Sequence, residues 1–117
     1  MTYFKQGRSI QVHKAIQYID SHINQPFTVA DICSELTISS AYLESLFKKE
    51  TGSTITSFIQ QEKTETAKSL LRNTDKPLFE IADYLCYSSQ SHFQNTFKRI
   101  TGETPLSYRK KNSRVAL

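Results

Sequence analysis

The phrase FKKETGST occupies residues 47–54, and FKRITGET occupies residues 97–104. Phe47 and Phe97, Lys48 and Lys98, Gly52 and Gly102, and Thr54 and Thr104 fall at the same steps, fifty residues apart. A chain of 117 residues has room for two copies of a unit that size. That length suits one ordinary domain, or two very small subdomains sharing a connector. Two copies are too few for a solenoid. They are enough for a duplicated supersecondary unit, and the residues around each phrase say which one.

Only three glycines and three prolines interrupt the chain, so it reads as helices joined by short turns. Residues 1–8 are expected to be a linker or lead-in. From Ser9 to about Asn24, Val12, Ala15, Ile16, Ile19 and Ile23 recur at helical steps on one face. Asn24-Gln25-Pro26 should stop that helix. Thr28 can cap the next one, with Asp31 at its positive end and Ile32, Cys33 and Leu36 inward. After a break at Thr37-Ile38-Ser39, Ser39 caps a helix with Leu43, Leu46 and Phe47 inward, and Gly52 ends it. Thr54 opens a long helix to about Arg72, with Ile55, Phe58, Ile59, Ala67, Leu70 and Leu71 as its apolar positions.

The pattern then restarts. Leu78, Ile81, Ala82 and Leu85 form a short helix, Cys86-Tyr87-Ser88 is a break, and Ser88 is the expected cap of a helix with Phe93, Phe97 and Ile100 inside. Gly102 ends it, Thr104-Pro105 opens a last short helix, and residues 112–117 should fray. Ile32 matches Ile81 at an offset of 49, whereas Phe47 matches Phe97 at 50, so the second turn carries one extra residue. Each copy is a short helix, a tight turn, a longer helix and a glycine stop, which is a helix-turn-helix. The expected boundaries are 9–53 for the first subdomain, 54–72 for the connecting helix and 73–111 for the second.

Charge points to a partner. Residues 1–97 carry 9 basic and 10 acidic groups, whereas residues 98–117 carry 6 and 1. A basic cluster suits a polyanion, although a solvated tail has the same composition. No apolar run approaches the ~20 residues of a membrane span, and MTYFKQGRSIQ lacks a signal-peptide core, so a cytoplasmic location is expected. Cys33 and Cys86 have no neighbour at metal-ligand spacing and read as small core residues. No nucleophile, base and orienting group converge, and there is no phosphate-binding glycine loop, so nothing supports an enzyme. No cofactor or metal is expected.

In DNA-binding helix-turn-helix units the outer face of the second helix enters the major groove. In the second copy that face carries Gln90, Ser91, Gln94, Asn95 and Lys98. Side-chain amides can donate to and accept from adenine together. Solvated helices usually favour Glu, Lys and Ala, so uncharged polar residues here suggest base reading. The first copy offers Ser40, Ala41, Glu44, Ser45 and Lys48. Glu44 could accept from cytosine or pair with Lys48 four residues on. Base-reading candidates are therefore Ala41, Glu44, Ser45, Gln90, Ser91, Gln94 and Asn95. Phosphate candidates are Ser40, Lys48, Ser89, Lys98, Arg109 and Lys110, at helix ends and basic positions. His92 suits a packing or phosphate role.

These residues resemble the AraC/XylS transcription regulators over about residues 9–110. The first unit is similar to the family's "LA…G-S…YL…FKK.TG" at Ile32-Cys33, Ser39 to Leu43 and Phe47 to Gly52. The second resembles "IA…GF…S.F…FK…G.SP..YR" at Ile81-Ala82, Cys86-Tyr87, Ser91 to Phe93, Phe97-Lys98, Gly102 to Pro105 and Tyr108-Arg109. The resemblance implies an all-α fold of seven helices, with two helix-turn-helix subdomains joined by a long central helix. It implies two recognition helices in successive major grooves of promoter DNA, often with bending. It also implies an activator commonly carrying a separate N-terminal sensing domain, which the short lead-in before the domain suggests was once attached here. RNA polymerase is the expected protein partner. The domain itself is expected to be monomeric, with any dimer formed by the full-length protein. Where the family has a turn glycine, this chain has Thr37 and Cys86, and a left-handed backbone there would cost ~1 kcal/mol. Where it has an arginine in the middle helix, this chain has Lys63. The rival expectation is a helical protein-interaction module on the same scaffold, favoured by the near-neutral first 97 residues and by Glu44.

Overall fold

A computed structural model describes residues 9–115. The expected linker at 1–8 and the end of the expected frayed tail lie outside them. The described residues form seven α-helices and no strand: α1 (Ile10–Ser21), α2 (Val29–Leu36), α3 (Ser40–Thr51), α4 (Ile55–Asn73), α5 (Leu78–Tyr84), α6 (Gln90–Thr101) and α7 (Pro105–Asn112). They form two compact units, one up to Ile59 and the other from Gln60. The boundary between them falls inside α4.

In the first unit, Ser9 Oγ accepts the Val12 N–H at 3.3 Å and starts α1. Val12, Ala15, Ile16 and Ile19 are buried, as their spacing predicts. The helix stops at Ser21, short of Asn24, because the His22 N–H turns back to the Tyr18 and Ile19 carbonyls and its ring stacks on Tyr18 at 3.9 Å. Thr28 and Asp31 form a reciprocal capping box at the start of α2. Ile32 and Cys33 then join Leu43, Phe47 and Ile55 in one buried cluster with the α1 residues, while Leu36, Leu46 and Phe58 pack half-buried against it. Full burial of such a side chain is worth about 1.5–3 kcal/mol, so this cluster holds α1, α2 and α3 together.

In the second unit, Ile81, Ala82, Leu85, Phe93 and Phe97 are buried with Ala67 and Leu71 of α4. The cap of α6 is Ser89, not Ser88: Ser89 Oγ accepts the His92 N–H at 3.0 Å. The extra residue of the second turn explains the shift, since Ser39 plus the offset of 50 is Ser89. Ser88 Oγ instead meets His92 Nδ1 at 3.1 Å. Thr96 is buried where the apolar pattern had no position, and Ile100 is only half-buried. After α7 the Arg114 N–H donates to the Arg72 carbonyl at 2.7 Å.

The repeated phrase now has an atomic content. Thr51 Oγ1 donates toward the Phe47 and Ser53 carbonyls and accepts the Ser53 N–H at 3.1 Å. Thr101 makes the same contacts with Phe97 and Glu103. Gly52 and Gly102 follow at φ 78° and 88°, left-handed positions that favour glycine through backbone conformation alone, since an added Cβ would meet nothing within 4 Å. Thr54 and Thr104 then cap α4 and α7 by accepting the Ser57 and Ser107 N–H groups at 3.1 Å. Phenylalanine anchors, threonine ties the end, glycine reverses the chain and the last threonine starts the next helix.

Candidate nucleic-acid interface

The turn of each unit sets the direction of the helix that follows. Thr37 (φ 58°) and Cys86 (φ 62°) both hold the left-handed conformation expected for the family's glycine. Ile38 N–H donates to the Cys33 carbonyl at 3.1 Å, and Tyr87 N–H donates to Ala82 at 2.9 Å. Cys33 is buried as expected, whereas Cys86 is half-buried in the turn rather than in the core. Both thiols are free.

With Phe93, Thr96 and Phe97 inward, α6 leaves Gln90, Ser91, Asn95 and Lys98 exposed and Gln94 half-buried. Gln90 Nε2 donates to Gln94 Oε1 at 3.4 Å. That pairing leaves the Gln90 amide oxygen free to accept and the Gln94 amide nitrogen free to donate. Ser89 Oγ accepts the helix N–H and keeps its own proton to give to a phosphate. Lys98 lies exposed in the last turn.

With Leu43 and Phe47 inward, α3 leaves Ser40, Ala41, Glu44, Ser45 and Lys48 exposed. Among the described residues no ion pair joins Glu44 to Lys48; the described pairs are Lys68–Glu65, Lys76–Glu80 and Lys111–Glu103. The Glu44 carboxylate therefore stays open to an outside donor. Ser40 Oγ approaches Cys33 Sγ at 3.7 Å, across the turn. Tyr42, half exposed in the first turn, adds an aromatic surface that the apolar pattern did not assign. Its signal was the placement of a large ring on the polar side of the first helical turn.

One predicted phosphate residue has another role. Arg109 donates from Nε to the Leu71 carbonyl at 3.2 Å, from Nη1 to Lys76 at 2.7 Å and from Nη2 to Thr74 at 3.2 Å. All three guanidinium nitrogens are engaged, one by Leu71 in the last turn of α4, where helix carbonyls lack intrahelical partners, and two by Thr74 and Lys76 in the segment that follows. Arg109 is a clamp on that end rather than a free phosphate ligand. Tyr108 assists: its ring packs edge-on against Phe97, with centroids 5.7 Å apart, and its hydroxyl accepts from Arg72 Nη1. Lys110 stays exposed, while Lys111 Nζ lies 3.4 Å from Glu103. Arg99 Nη2 is tied to Gln60 Oε1 at 3.0 Å.

Behind α6 lies a half-buried group that sequence reasoning had noted only as a replacement. Lys63 Nζ sits 5.0 Å from the centre of the Tyr87 ring. Burial pushes the Lys63 ammonium below the usual lysine range, and the nearby Cys86 partly opposes that shift. Burial also pushes the Tyr87 phenol up, with Arg99 and a hydrogen bond between Tyr87 and Thr64 acting the other way. Among the described residues no group of three His, Cys, Asp or Glu side chains converges to hold a metal, and no helix is long and apolar enough to cross a membrane.

Known proteins share this arrangement. A family model described as a helix-turn-helix domain matches residues 32–111. The regulatory protein SoxS of Escherichia coli K12 is 35% identical over 98 residues, covering 84% of this chain and 92% of its own. The xylose operon regulatory protein of the same strain is 38% identical over 106 residues, covering 91% of this chain but 27% of its own length. The solved C-terminal domain of AraT, a response regulator from Geobacillus stearothermophilus, superposes with a TM-score of 0.89 at 31% identity, covering 94% of this chain and 92% of that one. Two left-handed turns, two capped helices with open polar faces and these likenesses lead to one assignment: the chain belongs to the AraC/XylS family of transcription regulators and is a helix-turn-helix domain of the DNA-binding type.

Proposed function

We propose that this domain binds double-stranded promoter DNA by an unequal division of labour between its recognition helices. Each of α3 and α6 enters a major groove. Helix α6 specifies bases through Gln90, Gln94 and Asn95, with Ser91 beside them, whereas α3 chiefly positions the domain through Ser40, Ala41, Ser45 and Lys48. The observation that carries this reading is the contrast between the outer faces. One holds three amides, two of them joined by a hydrogen bond that leaves an acceptor and a donor free; the other holds small residues and a single carboxylate. Ser89, Lys98 and Lys110 supply phosphate contacts and the salt dependence that goes with them. The role is binding rather than catalysis.

Activation of transcription through RNA polymerase, in the cytoplasm of a bacterium and by a domain that is itself monomeric, completes the proposal. The test is selection of bound sequences from random duplex DNA. A site with one strongly constrained half and one weakly constrained half supports the reading. Two equally constrained halves refute the division of labour.

A second reading, a protein-interaction module on the same scaffold, draws on the unpaired Glu44 carboxylate in α3. Titration of promoter DNA across salt separates the two. Neutralised phosphates make affinity fall steeply with salt, and a flat or absent response favours the module.

A further inference from the structure

We propose that Lys63 and Tyr87 form a positioning pair that fixes the first turn of α6, and so controls which bases its amides read, without either residue touching DNA. The inference rests on the reading of α6 given above and adds residues to it that lie outside the reading face.

The geometry is a relay across one unit. Tyr87 is held on the α4 side by the Lys63 ammonium over its ring and by a hydrogen bond with Thr64. Thr64 is itself buried, and its Oγ1 donates to the Gln60 carbonyl at 2.8 Å. On the α5 side the Tyr87 backbone is fixed by its bond to Ala82. On the α6 side the ring meets His92 edge-on with centroids 5.2 Å apart, and Phe93 at 5.4 Å. His92 and Phe93 follow directly on Gln90 and Ser91, and one turn later come Gln94 and Asn95. Moving the ring therefore shifts the turn that carries the amides.

Lys63 is placed for this role rather than for a phosphate. It is half-buried, and its depressed basicity reflects loss of water around the ammonium. Its attraction to the ring is strengthened by that desolvation. Cys86 makes the relay more consequential. A non-glycine residue at φ 62° is strained, so the turn depends on its surroundings to hold it.

The test compares Lys63→Met and Lys63→Arg with the wild-type domain on its selected duplex. Three quantities are measured: thermal midpoint, salt slope of binding, and the affinity ratio between matched DNA and DNA altered in one half-site. Lys63→Met is expected to reduce discrimination at the α6 half-site by roughly three- to tenfold. Discrimination at the α3 half-site and the salt slope should not change. Lys63→Arg, which keeps a cation over the ring, should restore discrimination. Tyr87→Phe keeps the ring under the ammonium but loses the bond to Thr64, so it should lose less α6 discrimination than Lys63→Met does, and Lys63→Gln replaces Lys63→Met if the methionine variant is poorly folded. Unchanged discrimination, or equal loss at both half-sites, overturns the proposal. So does a salt slope reduced by about 0.9, which would mark Lys63 as a phosphate ligand. A wild-type domain with no preference at the α6 half-site would instead refute the reading of α6 itself.

Discussion

Thr37 and Cys86 hold one backbone conformation at the same step of two turns, with φ 58° and φ 62°. Neither is glycine, and a left-handed L-residue costs roughly 1–2 kcal/mol. Thr37 carries a branched Cβ and is exposed, so little packing offsets its strain. Replacing it by glycine relieves the strain, while the greater freedom of unfolded glycine returns about 0.5–1 kcal/mol. Thr37→Gly is expected to stabilise the domain by about 0.5–1 kcal/mol in urea unfolding. Cys86→Gly should gain less, because it gives up a half-buried side chain. A lower midpoint for Thr37→Gly would show that the turn is not strained in solution.

The repeat, the helices and both glycine stops were legible because each is written in local chemistry. Apolar residues recur at helical spacing, hydroxyl residues precede helices, and glycine follows them. The faces of α3 and α6 were legible for the same reason, as the complement of their inner positions. What could not be read depends on distant atoms. Nothing near Arg109 in sequence says that its donors reach Leu71, Thr74 and Lys76, more than thirty positions away. Its basic neighbours Lys110 and Lys111 suggested a phosphate patch instead. Thr96 and Thr64 escaped because burial of a hydroxyl follows from tertiary packing rather than from hydropathy. The cap at Ser89 was missed although the offset of 50 contained it, since Ser88 is an equally good hydroxyl one step earlier.

The Arg109 clamp separates stability from electrostatics. Arg109→Ala leaves the Leu71 carbonyl in the last turn of α4 and the Thr74 and Lys76 carbonyls after it without this donor, and bonds to a charged group are worth about 1.5–3 kcal/mol each when water does not replace them. Partial solvation here lowers the expected loss to about 2–3 kcal/mol in total. The salt slope of DNA binding should not change. Lys110→Ala is expected to do the opposite, lowering the slope by about 0.9 per lost phosphate contact with stability within about 0.5 kcal/mol of the wild type. A reduced slope for Arg109→Ala, with unfolding unaffected, would return Arg109 to the phosphate role.

Alkaline unfolding should record the Lys63–Tyr87 pair with opposite signs. Lys63 has a folded pKa below its unfolded value. Between the two the unfolded chain binds more protons, so stability rises with pH up to about 10.4. Tyr87 has a folded pKa above its unfolded value. There the folded chain binds more protons, so stability falls as pH rises past about 10. Urea unfolding from about pH 8 to 11 is the measurement. Lys63→Met should lose the rising contribution and Tyr87→Phe the falling one. Parallel profiles for all three proteins would mean that neither group is desolvated in the folded state.

The division of labour between the recognition helices yields the sharpest comparison. Asn95 is exposed on α6 beside the paired Gln90 and Gln94, and a bidentate amide–adenine contact is worth about 1–3 kcal/mol of discrimination. Asn95→Ala is expected to relax preference at one position of the α6 half-site by roughly 5- to 150-fold. Glu44→Ala removes a carboxylate from a face that otherwise carries small residues and Lys48. If α3 mainly positions the domain, that change relaxes little. It should instead strengthen binding to all sequences modestly, because a negative charge near phosphates is gone. Selection on each variant, with affinities for singly altered sites, measures both effects. Equal loss of preference at the two half-sites would mean that Glu44 reads a base as firmly as Asn95 does, and that both helices specify the site.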